Sequence, residues 1–547
     1  MEMALQREDR RQWMLAFLIA LLTAAILFLP YCFGYWFAQP GTTFTGVIMN
    51  AEDSQSYFAK MLQGYNGNWL YTIPYTTESH PPAFVGGFYL LLGQLARLTG
   101  SSITFIWHAS RLAASLILFL TTFGFIRSFL TRPHEYWTAY LLALYGSGLG
   151  WVLFVLGQTD WLGSFPVDFK MPEAHLFFAA LTFPHVALGM ALLMGNVWCV
   201  RQLFDRSPER GRWKLGIAAG CINVALAVVY PFLIYLVLLA NLFYFLFQAY
   251  RAKEIPWRSG VALGVSYLLP APLIFYYAWV LDTNEVFRAW DAQSITLSPH
   301  PLHYLVAYGP MLVLALLASK RPGSGLLWIW ILATAILVYA PLNPQRRFVE
   351  GVHVPLSILA TCGLFDALLP RLRQTSWFQA AARRPSYSIA GLERILILAF
   401  LGFMSLSNLY ILASVGTTTS IQQVYPFFRS RDELDAVEWL RANTDPSEVV
   451  LSAYETGNYI AAHAGNRVVI GHWAETLEFD QKEQEVDRFF SSPSDGNTQS
   501  QILDRYGVEY VFVGDREKQL GQRDSILTGN LQIVYENETV KVYRVVR

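Results

Sequence analysis

An acidic pair, Glu52-Asp53, directly follows the first long apolar segment and is the strongest candidate for chemistry in this chain. Adjacent residues on a helix or strand point in different directions, so the two carboxylates are not expected to share one proton. One of them can act as a general base towards a hydroxyl group, while the other orients the loop or binds a cation. The alternative is that both acids only stabilise the N-terminus of a helix over 54–62.

A second group of carboxylates lies in the stretch 158–175, which contains Asp168 and Glu173. Carboxylate oxygens are hard ligands, so Asp53, Asp168 and Glu173 together could hold a divalent cation such as Mg or Mn. No dedicated metal-site pattern accompanies them, and a solvated loop is the alternative. His175 begins an apolar segment and is expected to be a packed, hydrogen-bonded residue.

The cationic pair Arg346-Arg347 lies in a proline-rich stretch before an apolar segment. Guanidinium groups bind phosphate in a bidentate manner and keep their charge in a low dielectric. The pair is therefore a candidate for binding the phosphate of a lipid, with His353 in support. Contact with lipid headgroups or an ion pair with Glu350 is the alternative.

Asp168 and Glu173 are also candidates for substrate contacts, and three further candidates are His80, Trp290 and Gln293. His80 is part of the Ser-His-Pro-Pro run that closes the loop of the acidic pair. Trp290 and Gln293 combine an aromatic face with an amide, which suits a sugar ring and its hydroxyls. Aromatic residues at a membrane boundary are also ordinary interfacial anchors, and that alternative stays open.

The composition indicates a membrane protein with little affinity for nucleic acid. Of 547 residues, 54% are hydrophobic and 15% are charged, whereas soluble proteins carry about 25% charged residues. Lys and Arg together number 40, as do Asp and Glu, so no basic surface for nucleic acid is expected. The four cysteines lack metal-ligand spacing and lie in apolar segments.

The apolar segments, among them 136–157 and 176–200, predict a polytopic α-helical protein with about 11–13 transmembrane helices. Basic residues gather in alternate connections, which places the N-terminus in the cytoplasm and four loops on the extracytoplasmic side. The apolar stretch 82–98 would reverse this topology if it crossed the membrane, so it is interpreted as a short or re-entrant segment. The predicted extracytoplasmic loops are 38–81, 158–175, 281–303 and 342–348.

The composition changes near Thr417, which divides the chain into a transmembrane domain, 1–416, and a soluble extracytoplasmic domain, 417–547. Alternating strand-like and helix-like runs predict one small α/β domain. Two polar runs, Tyr454–Tyr459 and Gly471–Thr476, follow strand-like segments. Such positions commonly line ligand crevices in open α/β sheets.

The stretch from Asn50 to Leu92 resembles the first external loop of the GT-C membrane glycosyltransferases. It has an acidic pair after the first span, a tyrosine and small residues on an interfacial helix, and a Pro-Pro start to the next apolar segment. The likeness is to the branch of protein O-mannosyltransferases and the lipid A aminoarabinose transferase. It implies a transferase of the cell envelope that uses a polyprenyl-phosphate sugar, with Asp53 or Glu52 as the base, and Asp53 is favoured.

The resemblance further implies transfer to an acceptor hydroxyl of a glycan, lipid or protein, with inversion at the anomeric carbon if one displacement occurs. Two other functions are also compatible with the sequence. A transporter or lipid-handling protein would carry polar residues through the middle of its spans, often with internal repeats. An inactive GT-C relative would serve as a scaffold.

Overall fold

Helices dominate the computed structural model, which describes residues 2–205, 209–318, 321–384, 387–491, 496–521 and 531–546. Residues 522–530 of the predicted C-terminal domain lie outside the described residues. Contacts within the chain define two compact units. The first unit comprises the residues up to Phe28, Ser110–Phe275 and Thr296–Ser414, and the second comprises Leu29–Ala109, Tyr276–Ile295 and the residues from Val415 onward.

Within the described residues, six helices are long and apolar enough to span a membrane: Glu8–Trp36, Ile103–Phe129, Pro184–Phe204, Gly211–Val229, Leu233–Ala252 and Gln345–Arg373. The span count rises to eight if two bent pairs each count as one, namely Trp257–Leu268 with Ala271–Thr283, and Ile389–Met404 with Leu406–Gln422. Shorter apolar helices are Pro301–Leu317 and Gly325–Leu337. The chain is therefore a multi-pass membrane protein, as predicted, and the larger predicted count included shorter segments of this kind.

Two apolar stretches that each looked like one span are broken in the structure. The predicted span 136–157 separates into Pro133–Tyr145 and Gly150–Val155, and the predicted span 176–200 separates into Leu176–Thr182 and Pro184–Asp205. At the first break, the Asn408 amide donates hydrogen bonds to the carbonyls of Tyr145 and Gly146. At the second, Pro184 begins a new helix because it has no backbone N–H to continue the previous one.

The other helices of the first unit are short: Val167–Lys170, Ser376–Ala382 and the single turn Pro172–Ala174. The Gln345–Arg373 span is itself made of the consecutive segments Gln345–Val349, His353–Gly363, Leu364–Leu368 and Leu369–Arg373. A buried amide chain joins four of the longer helices. Asn196 donates to Asn223 at 2.8 Å and accepts from Asn241 at 2.9 Å, and Asn241 also donates to Tyr267. In an apolar environment such bonds contribute about 0.6–2 kcal/mol each and fix which helices are neighbours.

The second unit contains a five-stranded sheet in the order β4-β3-β5-β7-β6. Its strands are β3 (Val449–Leu451), β4 (Arg467–Val468), β5 (Val508–Val513), β6 (Leu531–Glu536) and β7 (Lys541–Val545). Strand β3 pairs in parallel with β4 and β5, and β7 pairs antiparallel with β5 and β6. The helices around it are Arg431–Asn443, Tyr454–His463, Phe479–Ser491, Gly496–Arg505 and Asp515–Gly521. The α/β domain is confirmed.

The unit also includes the polar segment after the first span. Strand β1 (Thr42–Phe44) pairs antiparallel with β2 (Phe428–Ser430), so this segment and the C-terminal part share a small sheet. Contacts between the Ala51–Tyr65 and Tyr454–His463 helices strengthen the connection. The predicted domain scheme, in contrast, assigned Leu29–Ala109 and Tyr276–Ile295 to the transmembrane part.

The apolar stretch 82–98 forms the 13-residue helix Gly87–Thr99, about 20 Å long and too short to cross a bilayer core of about 30 Å. It is a short segment, as predicted. It crosses the Ala51–Tyr65 helix through two glycines. A Cβ on Gly64 would lie 2.3 Å from the Leu90 carbonyl oxygen, and one on Gly93 would lie 2.1 Å from that of Met61. Only glycine permits this close crossing, which fixes the helix that carries the acidic pair.

Candidate functional site

The acidic pair lies in the first turn of the Ala51–Tyr65 helix. The residue before this helix, Asn50, has a positive φ of 48° and its side chain makes no capping hydrogen bond. The helix dipole stabilises carboxylates at this position, which agrees with the alternative prediction that the two acids stabilise the N-terminus of a helix. Their side chains, however, also contact the C-terminal domain within the same unit.

Asp53 is paired with a histidine that sequence reasoning did not assign to it. The Oδ1 atom of Asp53 lies 3.2 Å from Nε2 of His472. The Asp53 side chain is 39% exposed, whereas that of His472 is 7% exposed. A buried imidazole therefore holds a carboxylate that still reaches solvent, which is the geometry a general base needs to meet an incoming hydroxyl.

Glu52 points to a different partner, as expected for adjacent residues on a helix. It accepts a hydrogen bond from Tyr454, and burial together with the Glu52 charge raises the pKa of Tyr454. Tyr454 follows β3 and His472 follows β4. Both are therefore at the carboxyl edge of the parallel strands, where the sequence predicted a crevice-lining role for these two runs.

A buried ion pair holds the same two segments together. The Lys60 ammonium lies 2.7 Å from Oε1 of Glu475, and the two residues are 4% and 2% exposed. Glu475 also accepts hydrogen bonds from Ser56 at 2.9 Å and from Tyr71 at 2.6 Å. Burial opposes ionisation of Glu475, but Lys60 and the other donors outweigh it and hold its pKa below the ordinary value.

Two other residues that were predicted to contact substrate, His80 and Gln293, form hydrogen bonds with backbone groups of this unit. His80 accepts a hydrogen bond from the Ile73 N–H at 3.0 Å, and its Nδ1 lies 2.9 Å from the Glu78 carbonyl oxygen, so both ring nitrogens bind backbone. Burial lowers the pKa of His80, consistent with this neutral, loop-fixing arrangement. The Gln293 amide donates to the carbonyls of Trp473, Ala474 and Thr476.

These hydrogen bonds from Gln293 stabilise the turn that carries His472. Trp290, three residues earlier, is half-buried and packs edge-on against Phe287 at 6.3 Å. A contact of Trp290, Gln293 or His80 with substrate stays a prediction. Of the residues in this constellation, His472, Glu475 and Lys60 were not among the predicted site residues, although His472 and Glu475 lie in the run singled out after a strand.

The first unit contains a separate group of buried ionisable residues. Asp168 is 1% exposed, and its Oδ2 accepts hydrogen bonds from the Gly150 N–H at 2.9 Å and the Ser407 hydroxyl at 2.8 Å. One oxygen thus fixes the start of the Gly150–Val155 helix. The other oxygen, Oδ1, lies 3.5 Å from Nε2 of His175.

Several of these buried groups lack hydrogen-bond partners among the described residues. They include both ring nitrogens of His175 and of His353, both carboxylate oxygens of Glu350, and Oε2 of Glu173. His175 is packed, as predicted, and its ring lies 4.9 Å from that of His353, but neither ring nitrogen has a hydrogen-bond partner among the described residues. Buried ionisable groups without partners are costly to maintain, so such clusters are candidates for function.

The predicted phosphate-binding arginines begin the Gln345–Val349 turn of this unit. The guanidinium of Arg347 lies over the Phe232 ring, 5.6 Å from its centroid. The Glu350 carboxyl group is close enough to interact electrostatically with both Arg347 and Glu173. Burial and the nearby charge of Arg346 lower the pKa of Lys170. Lys170 is thus a third cation near Arg346, and like charges gathered in this way favour an anionic ligand.

Within the described ranges, no group of three or more His, Cys, Asp or Glu residues is arranged to hold a metal ion. The predicted Mg or Mn on Asp53, Asp168 and Glu173 therefore gains no geometric support, and it stays a prediction.

Removing the cation of the buried ion pair should destabilise the protein. Lys60→Met leaves the Glu475 carboxylate buried without its counter-charge, which typically costs about 3–5 kcal/mol. Because the pKa of Glu475 is lowered from 4.5, its wild-type contribution is complete at neutral pH. That contribution is lost as the pH falls below about 4.5 and through the lowered pKa. Thermal unfolding in detergent micelles at pH 7 and at lower pH measures both effects.

The double variant Lys60→Met/Glu475→Gln is the matched control, since it removes both charges. It should recover part of the loss at pH 7 and show a weaker pH dependence. Equal stability of the wild type and the Lys60→Met variant at pH 7 would show that the ion pair does not hold the two segments together.

Comparison with known proteins adds a family and a fold. Residues 169–547 match the family described as a family of unknown function, DUF6541. No curated protein sequence matches the chain. Among solved structures, ArnT from Cupriavidus metallidurans in the apo state aligns with a TM-score of 0.54 and 13% identity over 98% of both chains.

The same ArnT bound to undecaprenyl phosphate aligns with a TM-score of 0.50 and 12% identity, again over 98% of both chains. The Archaeoglobus fulgidus oligosaccharyltransferase in complex with Zn and sulfate gives a TM-score of 0.49 at 14% identity, covering 91% of this chain and 68% of that one. At these identities the likeness to ArnT establishes the shared fold. The chain has the GT-C fold and belongs to the DUF6541 family.

Proposed function

We propose that this protein is an integral-membrane glycosyltransferase that moves a sugar from a polyprenyl-phosphate donor to an acceptor hydroxyl on the extracytoplasmic side of the membrane. The observation that carries the proposal is the Asp53–His472 pair at 3.2 Å, in which the carboxylate remains partly exposed. The fold shared with ArnT, of which one solved structure contains undecaprenyl phosphate, supports the choice of donor.

Asp53 is the proposed base. Its carboxylate takes the proton of the acceptor hydroxyl as the oxygen attacks the anomeric carbon of the donor. The bond between that carbon and the phosphate oxygen breaks, and the polyprenyl phosphate leaves with the bonding electron pair. A single displacement of this kind inverts the anomeric configuration. Glu52, which is hydrogen-bonded to Tyr454, orients the start of the Ala51–Tyr65 helix.

His472 is the proposed positioning residue for Asp53. Its Nε2–H donates to Oδ1 of the carboxylate, which stabilises the ionised form and restricts its rotation. The carboxylate of Asp53 then has a defined orientation. The turn that carries His472 is itself fixed by Gln293 and by the Thr476 hydroxyl, which donates to the Tyr75 carbonyl at 2.9 Å.

Arg346 and Arg347 are the proposed ligands of the donor phosphate, and Lys170 adds a third positive charge. Cations placed at a departing phosphate stabilise the charge that develops on it, which lowers the barrier to cleavage. Asp168 and Glu173 remain proposed substrate contacts.

The Asp53→Asn variant should lose transfer activity by at least about 100-fold, because the amide cannot take the proton. The measurement is mass-spectrometric detection of glycosylated acceptor in proteoliposomes supplied with a polyprenyl-phosphate sugar. Asp504→Asn, at an exposed position of the Gly496–Arg505 helix, is the matched control and should keep wild-type activity. An active Asp53→Asn enzyme would eliminate this assignment, provided both variants insert into the membrane equally.

The His472→Gln variant should keep the donor KM and lower kcat by about tenfold or more, because the base loses its orienting hydrogen bond. The loss should appear in the kcat of the folded fraction, because the carboxylate is still present but no longer held in one orientation. A purely structural role would lower the amount of folded enzyme without changing the kcat of that fraction.

The Arg346→Ala and Arg347→Ala variants should raise the donor KM by about tenfold each, since each loses a charge-assisted hydrogen bond to phosphate. The corresponding Lys variants keep the charge and should retain part of the affinity. Initial rates over a range of donor concentrations give KM and kcat. If the Ala variants keep the wild-type donor KM, the phosphate lies elsewhere.

A further inference from the structure

A cavity of about 490 Å³ lies in the second unit at the ends of two candidate membrane spans. Tyr35 comes from the last turn of the first span, and Ser102 to His108 come from the start of the Ile103–Phe129 helix. The C-terminal domain supplies the remaining wall through Leu434, Tyr459 and His463. The volume is in the range of about 300–1,000 Å³ that is typical of sites for small organic ligands.

The described residues that line this cavity include no Asp, Glu, Lys or Arg side chain. Their polar groups are hydroxyls and two imidazoles, from Tyr35, Thr43, Thr45, Ser102, Thr104, His108 and His463. Burial, together with Arg429 and Arg441, lowers the pKa of His463 to about 3, so this ring is neutral at physiological pH. Hydroxyls and a neutral imidazole match ester carbonyls and hydroxyls, whereas a phosphate would call for Arg or Lys.

The apolar part of the lining lies beside exposed side chains at the ends of the two candidate spans. Phe44, Phe105, Leu434 and Tyr459 form this part of the wall, and Phe105 is 62% exposed. At the end of the first span, Trp36 and Phe37 are 69% and 53% exposed. Exposed aromatic rings at the ends of spans lie at the level of the lipid headgroups, so a bilayer lipid can enter the cavity from the side.

The backbone at Gly46 packs closely against two side chains that line the cavity. Gly46 has a φ of +81°, and a Cβ at this position would lie 2.9 Å from both Thr104 Cγ2 and the Tyr35 hydroxyl. Any other residue would push these two lining groups apart. On the opposite wall, His463 stacks on Tyr459 at 3.9 Å, and its Nε2 lies 2.8 Å from Oε1 of Gln55. The lining groups are thus held in place before any ligand arrives.

We propose that this cavity binds the glycerol-ester region of a diacyl glycerolipid from the surrounding bilayer. The ester carbonyls and glycerol hydroxyl meet the hydroxyl-rich wall, and the start of an acyl chain lies along Phe44 and Phe105. This lipid site is additional to the proposed donor site, whose phosphate requires the cations of the first unit. It would couple the C-terminal domain to the lipid surface.

The test is photolabelling of the full-length protein in phosphatidylcholine vesicles with a diacylglycerol that carries a diazirine near the carboxyl end of one acyl chain. Labelled peptides are then mapped by mass spectrometry. Labels are expected on Leu434 or Tyr459, which lie outside every candidate span, in addition to ordinary labels on the spans. Excess unlabelled diacylglycerol should remove the cavity labels, and excess polyprenyl phosphate should not.

Two variants fill the cavity from opposite walls, Thr104→Trp and Leu434→Trp, and each should reduce the cavity labels at least fivefold. Thr99→Trp makes the same change as the first variant at an exposed position outside the cavity and should label like the wild type. Asp53→Asn should also label normally, so a failure of the proposed transfer chemistry would not affect this result.

Labels confined to the spans would overturn the proposal, as would cavity labels that persist in both filled variants. Competition by polyprenyl phosphate alone would overturn it too, because the cavity would then belong to the donor. Gel-filtration profiles of each variant in detergent ensure that only folded protein is compared.

Discussion

The buried ion pair between Lys60 and Glu475 is the interaction on which the candidate catalytic constellation depends. Asp53, Ser56 and Lys60 lie on one face of the same helix because they are three to four residues apart. Lys60 and Ser56 fasten that face to Glu475, three residues after His472. The Asp53–His472 contact therefore follows from an interaction two helical turns away.

Burying such a pair is unfavourable unless further hydrogen bonds compensate for lost hydration. Here Glu475 accepts from a lysine, a serine and a tyrosine, and the Lys60 ammonium also lies 4.3 Å from the Tyr71 ring. The close crossing at Gly64 and Gly93 fixes the opposite side of the same helix. The partly exposed carboxylate of Asp53 is thus attached to a rigid support, which a positioned base requires.

The sequence predicted much of this arrangement from local patterns and missed what depends on long-range pairing. Acids at a helix start, the α/β domain and the polar runs after strands are local features, and they are where the sequence placed them. The partners Asp53 and His472 are 419 residues apart, so no periodicity could connect them. The hydrogen bonds of Gln293 likewise depend on carbonyls that are 180 to 183 residues away along the chain. The helix break at residues 146–149 was missed because Asn408, far along the chain, supplies the compensating hydrogen bonds.

In the proposed reaction, the protein cleaves a polyprenyl-phosphate sugar and transfers the glycosyl group to a hydroxyl. The most direct measurement follows the release of polyprenyl phosphate from a panel of hexosyl and pentosyl donors by the purified protein, with extracted membrane lipids, glycans and proteins as acceptors. At least one donor is expected to release polyprenyl phosphate in one-to-one ratio with a newly glycosylated acceptor. Intact, folded protein that releases none from any donor, with every acceptor class present, would contradict it.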